Sequence, residues 1–114
     1  MAVHNLSTIK KLISDYIKEL ENYGVRVEKV ILYGSCARGT ATKYSDIDIV
    51  IISKSLARWK PIERLQMLSR ATENVDAPLE VIGYTPQEIK RRGKRSIFWD
   101  EITRDGVEIF KRAA

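Results

Sequence analysis

The stretch that most constrains this chain is Asp46-Ile47-Asp48-Ile49-Val50-Ile51-Ile52. Side chains alternate between the faces of a strand, so Asp46 and Asp48 share one face while Ile47, Ile49 and Ile51 take the other. Two aspartates in register repel one another and resist burial. A structural role is therefore a poor account of the pair unless a cation sits between them. The plain alternative is a solvated strand end.

Around this strand, helices and strands alternate. Leu6, Ile9, Ile13, Tyr16, Ile17, Leu20 and Tyr23 keep the period of one helix face, with Asn5 or Ser7 to cap the start and Gly24 to end it. The β-branched run 25–33 predicts a strand that stops at Gly34. Ile62, Leu65, Leu68 and Thr72 mark a second helix within 58–74, with Pro61 in its first turn. A third strand is expected over 79–84, and Thr85-Pro86-Gln87-Glu88 combines a capping box with proline at the first helical position. A short helix over 96–104, closed by Gly106, and a last strand over 107–110 complete the pattern. The connection from Gly34 to Ser45 is too short for a full crossover helix. The expected fold is α+β, a small mixed sheet flanked by helices, with residues 1–114 as a single domain.

Composition removes several function classes. A single cysteine, Cys36, and a single histidine, His4, exclude a disulfide framework and multi-thiolate or His-rich metal sites, and they point to a reducing, cytoplasmic setting. No aliphatic run approaches the length of a membrane span, and the first residues lack the pattern of a signal peptide. The formal charge of +5 favours an anionic partner such as a nucleotide, a nucleic acid or an acidic protein surface.

The chemistry is concentrated in Tyr33-Gly34-Ser35-Cys36-Ala37-Arg38-Gly39 followed by Ser45-Asp46-Ile47-Asp48. Gly34 lets backbone N–H groups approach an oxyanion, and the Ser35 hydroxyl with a following helical turn adds donors suited to phosphate. An ordinary turn is the competing reading. Gly34 and Gly39 have the spacing of a P-loop, but Thr40 and Ala41 stand where lysine should follow. Carboxylates beside a phosphate-binding loop suit magnesium, which takes carboxylate and phosphate oxygens together. A third acid is then expected, and Glu80, within Leu79-Glu80-Val81-Ile82, is the candidate; its alternative is the exposed edge of a sheet, and Asp76 is held in reserve as a turn residue. If the Glu80 strand pairs beside the Asp46 strand, the three acids converge to hold one or two metal ions.

Arg38 is read either as steadying triphosphate charge or as salt-bridging a nearby acid, and Lys43 as a weaker phosphate candidate. Cys36 has no histidine base within the motif and reads as a small packing residue; His4 receives no role. Lys90, Arg91, Arg92, Lys94 and Arg95 form a basic run, read first as a solvated helix end and second as a contact for nucleic acid or an acidic partner. Ile97, Phe98, Trp99 and Trp59 read as core or interface anchors, because no alternating basic and aromatic pattern surrounds them.

The glycine-serine pair, the ten-residue gap and the double aspartate together resemble the signature of the DNA polymerase β-like nucleotidyltransferase superfamily, and within it the minimal nucleotidyltransferase branch. The resemblance extends over most of the chain. It implies an α+β fold in which Gly34 and Ser35 hold a nucleoside triphosphate, ATP or another, while Asp46 and Asp48 bind Mg2+. Glu80 would match the third carboxylate, which in much of the superfamily is aspartate. Members of this branch are often encoded with a helical partner of the HEPN type and resemble antitoxins, some of which transfer AMP to a tyrosine of that partner. The expected function is thus a magnesium-dependent transfer of a nucleoside monophosphate to a hydroxyl of a separate protein chain. The alternative is a non-catalytic module of the same fold that neutralises its partner by binding; direct nucleic-acid binding ranks last, since it leaves the aspartates idle. Setting three of the 15 acids in one site leaves 12 against 20 basic residues, so the rest of the chain would attract a polyanion.

Overall fold

The computed structural model describes residues 5–42, 45–92 and 97–113, and for Arg92 and Ile97 the backbone alone. Helix α1 (Leu6–Asn22) begins where the Asn5 side chain accepts the Thr8 N–H at 2.8 Å, and Gly24 follows its end with φ 81°. Strand β1 (Lys29–Tyr33) runs directly into the five-residue helix α2 (Gly34–Arg38), closed by Gly39 at φ 76°. Strand β2 (Ile47–Ile52) leads through a 3-10 turn to helix α3 (Pro61–Arg70) and then strand β3 (Leu79–Tyr84). Helices α4 (Pro86–Arg92) and α5 (Ile97–Asp105) precede the last strand, β4 (Val107–Lys111).

The sheet has the order β3-β2-β1-β4. β1 is antiparallel to both β2 and β4, whereas β2 and β3 are parallel, so the sheet is mixed as expected. Both faces are covered. Ile47, Ile49 and Ile51 enter the larger core with Ile9, Ile13 and Tyr16 of α1 and Met67 and Leu68 of α3. Val50 and Ile52, on the face shared with Asp48, enter a second cluster with Ile102 and the half-buried Tyr33, Tyr84 and Trp99. One face of the sheet is therefore acidic at one end and apolar along the rest.

Two expectations need correction. The ladder starts at Lys29 rather than at residue 25, although Val25 and Val27 are buried. Arg26 is instead engaged by the 3-10 turn, its N–H donating to Ser55 Oγ and its carbonyl accepting from Ser53 Oγ. In α3 the inward residues are Arg64, Met67 and Leu68, while Ile62 and Leu65 are 71% and 55% exposed. The apolar period was shared between the core and the solvent face because Arg64 takes an inward position, its guanidinium bound to Glu88 at 2.7 Å and to the Gly83 carbonyl at 3.2 Å. The Thr85 capping box forms as expected, with Thr85 N–H donating to Glu88 Oε1 at 2.8 Å and Glu88 N–H to Thr85 Oγ1 at 3.1 Å. His4, Lys43, Gly93, Lys94, Arg95 and Ser96 lie outside the described residues. Lys90 and Arg91 are exposed on α4. Among the described residues no helix is long and apolar enough to cross a membrane.

Candidate active site

The end of β1, the start of β2 and the start of β3 meet at one end of the sheet. There Asp48 lies between two register partners, Tyr33 on β1 and Glu80 on β3. Gly34 follows Tyr33 with φ 72°, and a Cβ there would run into the Asp48 carboxylate. Glycine is required twice over, by its backbone angle and by the proximity of the carboxylate.

Helix α2 starts at this point with Tyr33 as N-cap and no side chain capping its first amides. Ser35 is half-buried at its second position, and its carbonyl accepts the N–H groups of Gly39 and Thr40. The Ser35 hydroxyl makes no hydrogen bond among the described residues. The Cys36 thiol donates to the Asp46 carbonyl at 3.6 Å, tying α2 to the approach of β2. Cys36 also packs against the larger core, and burial followed by the Asp48 charge raises its pKa. It is held as a thiol, in keeping with a packing role.

The electrostatics centre on Asp48. Its pKa is pushed up to about 6, first by burial, then by a hydrogen bond with the Glu80 carboxyl and by the charges of Glu80 and Asp46, with Arg38 opposing. Asp46 and Glu80 are both exposed. Glu80 is at once on the edge strand and beside Asp48, so both readings of its position hold. Arg38 is exposed and makes no ion pair among the described residues, but its charge reaches Asp48. Asp76 is an exposed residue of the bend before β3 and has no partner in the β2–β3 ladder.

The donor set consists of carboxylate oxygens whose charge is in surplus, which fits a hard divalent cation such as magnesium. Among the described residues no three acidic, histidine or cysteine side chains are grouped so as to hold a metal ion, so Asp46, Asp48 and Glu80 do not form the three-carboxylate cluster expected from the sequence. Magnesium is ordinarily held by one or two carboxylates together with substrate phosphates, so an open set completed by a triphosphate is consistent with these residues.

Three residues adjoining the site were not singled out for it from the sequence. Tyr33 has its pKa pushed up to about 12 by burial and then by Asp48 and Glu80, with Tyr84 and Glu101 contributing. Phe98 of α5 meets the Tyr33 ring edge-on, with centroids 5.8 Å apart. Glu101 follows one turn later. The one signal available was the position of Tyr33 at the strand end; the approach of α5 is tertiary. A groove of about 530 Å³ containing Lys29, Ile31, Trp99 and Lys111 lies toward the opposite end of the sheet.

A mixed sheet with a Gly-Ser helix start after one strand and paired carboxylates on the next two defines an α+β protein of the nucleotidyltransferase class. The chain belongs to the nucleotidyltransferase domain family, whose model matches residues 10–105. Among curated relatives, "Putative protein adenylyltransferase MJ0141" of Methanocaldococcus jannaschii is 29% identical over 105 residues, covering 91% of this chain and 94% of that protein. "Putative protein adenylyltransferase MJ1305" of the same organism is 33% identical over 61 residues, 53% of this chain, and the match spans 41% of that protein's length. The fold is also that of solved structures. A "putative nucleotidyltransferase" from Sulfolobus solfataricus superposes with a TM-score of 0.64 at 23% identity, covering 97% of this chain and 87% of that one. A crystal structure described as "the toxin-antitoxin with AMP-PNP" gives 0.60 at 18% identity, covering 87% and 73%. A third, of the toxin-antitoxin MntA-HpeT, gives 0.54 at 16% identity, covering 95% and 74%.

Proposed function

We propose that this chain is a magnesium-dependent nucleotidyltransferase that moves AMP from ATP onto a hydroxyl of a partner protein. The observation that carries the reading is the placement of Asp48 beside Glu80 in adjoining strands, with Gly34 against the Asp48 carboxylate. Gly34, Ser35 and Arg38 bind the triphosphate through backbone approach, a hydroxyl and a positive charge. Asp46, Asp48 and Glu80 hold magnesium, which when bound supplies positive charge to the triphosphate and to the departing pyrophosphate. The acceptor oxygen bonds to the α-phosphorus as the bond from that phosphorus to the oxygen bridging to the β-phosphate breaks. Pyrophosphate leaves with that bonding pair. Glu80, exposed on the edge strand, takes the proton of the acceptor hydroxyl.

The names of the relatives support protein as the acceptor class, and the toxin-antitoxin neighbours support an antitoxin role against a partner protein. The test is incubation with magnesium, the copurifying protein and ATP labelled at either the α- or the γ-phosphate. Label should enter protein from the α-position alone. Entry from the γ-position, or none from either, would overturn the assignment.

A further inference from the structure

Helix α5 distributes its aromatic and aliphatic residues unevenly. Trp99 turns into the second cluster, with its ring 5.9 Å from Tyr84, and Ile102 is fully buried there. Phe98 remains 42% exposed. It is not left at a random place on the surface. Its ring meets Tyr33 at an interplanar angle of 88°, and Tyr33 is both the register partner of Asp48 and the residue before Gly34. Helix α5 also packs on α2 and β1, the elements that carry Gly34, Ser35 and Tyr33. An exposed aromatic ring thus stands on Tyr33, the residue paired with Asp48 and leading into α2.

We infer that Phe98, held edge-on by Tyr33, is the platform on which the base of the nucleoside triphosphate stacks. This deepens the proposed function and rests on it. The triphosphate is the charged part of such a ligand and belongs at Gly34, Ser35 and the carboxylates. The base is planar and uncharged, and Phe98 is the exposed ring that touches this end of the sheet through Tyr33. Stacking on an aromatic face suits any base, and purines most through their larger surface. Tyr33 is a positioning residue in this arrangement, fixing the Phe98 ring rather than contacting the base.

The test compares the affinity of the intact protein, with magnesium, for ATP and for inorganic tripolyphosphate. Phe98→Ala should weaken ATP binding about 10-fold and leave tripolyphosphate binding unchanged. Phe98→Leu, which keeps an apolar cover without a flat ring, should lose as much as Phe98→Ala, and Phe98→Tyr should stay within about twofold of the parent. Equal ATP affinity in Phe98→Ala and the parent, or equal losses for ATP and tripolyphosphate, would overturn the stacking role and leave the transferase reading standing. A parent protein that binds neither ligand would overturn both.

Discussion

Asp48 of β2 and Glu80 of β3 are direct partners in a parallel ladder, 32 positions apart in sequence, and the Glu80 carboxyl helps raise the pKa of Asp48. The pairing places charge where burial already disfavours it. The carboxyl of Asp48 therefore holds its proton to about pH 6 rather than 3.8.

This shift has a sign for stability. Between 3.8 and about 6 the folded protein binds the Asp48 proton while the unfolded chain has released it. In the metal-free protein the stabilisation from this group is present at the acid end of that window and is lost as pH rises through it. Urea midpoints measured across the window should fall more steeply with pH for the parent than for Asp48→Asn. Saturating magnesium should reduce the difference, since a bound cation offsets the same repulsion.

The glycines at the first position of α2 and just past its end separate backbone strain from close approach. Gly34 and Gly39 have φ values of 72° and 76°, but a Cβ at Gly39 meets nothing within 4 Å while one at Gly34 meets Asp48. Gly39→Ala should cost about 1 kcal/mol in chemical denaturation and retain transfer activity. Gly34→Ala should cost more, about 2–3 kcal/mol, and abolish transfer, because the Asp48 carboxylate must move.

Arg64 is 9% exposed, and its guanidinium is held by Glu88, which also closes the capping box at Thr85. Glu88→Ala should cost about 3 kcal/mol, since it strands a buried cation. Thr85→Ala should cost about 1 kcal/mol, the ordinary worth of an N-cap. Denaturant unfolding of the two variants checks the ratio.

On α3 the apolar period marks the helix but is split between two faces, with Leu68 buried and Ile62 and Leu65 exposed. Leu65→Ala and Ile62→Ala should each change stability by no more than about 0.5 kcal/mol, whereas Leu68→Ala should cost about 2–4 kcal/mol. Parallel thermal and urea unfolding distinguishes the two sets.

These contrasts indicate what was legible in the sequence. Local chemistry read correctly: β3 spans 79–84 as expected, and the Asn5 and Thr85 caps form the bonds their side chains allow. The alternation at 46–52 correctly divided the strand between two faces, with Ile47, Ile49 and Ile51 in the larger core. What escaped depends on partners distant in the chain. The ladder does not extend back to residue 25 because Ser53 and Ser55 engage Arg26, and α3 brings Arg64 to Glu88. In the site, Gly34, Asp46 and Asp48 belong to one compact motif and were visible together. The placement of Glu80 depended on which strand β3 would join, Tyr33 stood in the motif but gained its place from the β1–β2 ladder, and Phe98 and Glu101 came into view only through the packing of α5.

The central claim is that the carboxylates of this sheet end transfer AMP to another protein. Its most direct test is the intact mass of the copurifying chain before and after exposure to ATP and magnesium, with the parent protein and with the double variant Asp46→Asn, Asp48→Asn. The account predicts a gain of one or more AMP groups with the parent and none with the variant, while circular dichroism shows both folded. An unchanged partner mass with the parent, or an equal gain with the variant, would contradict it.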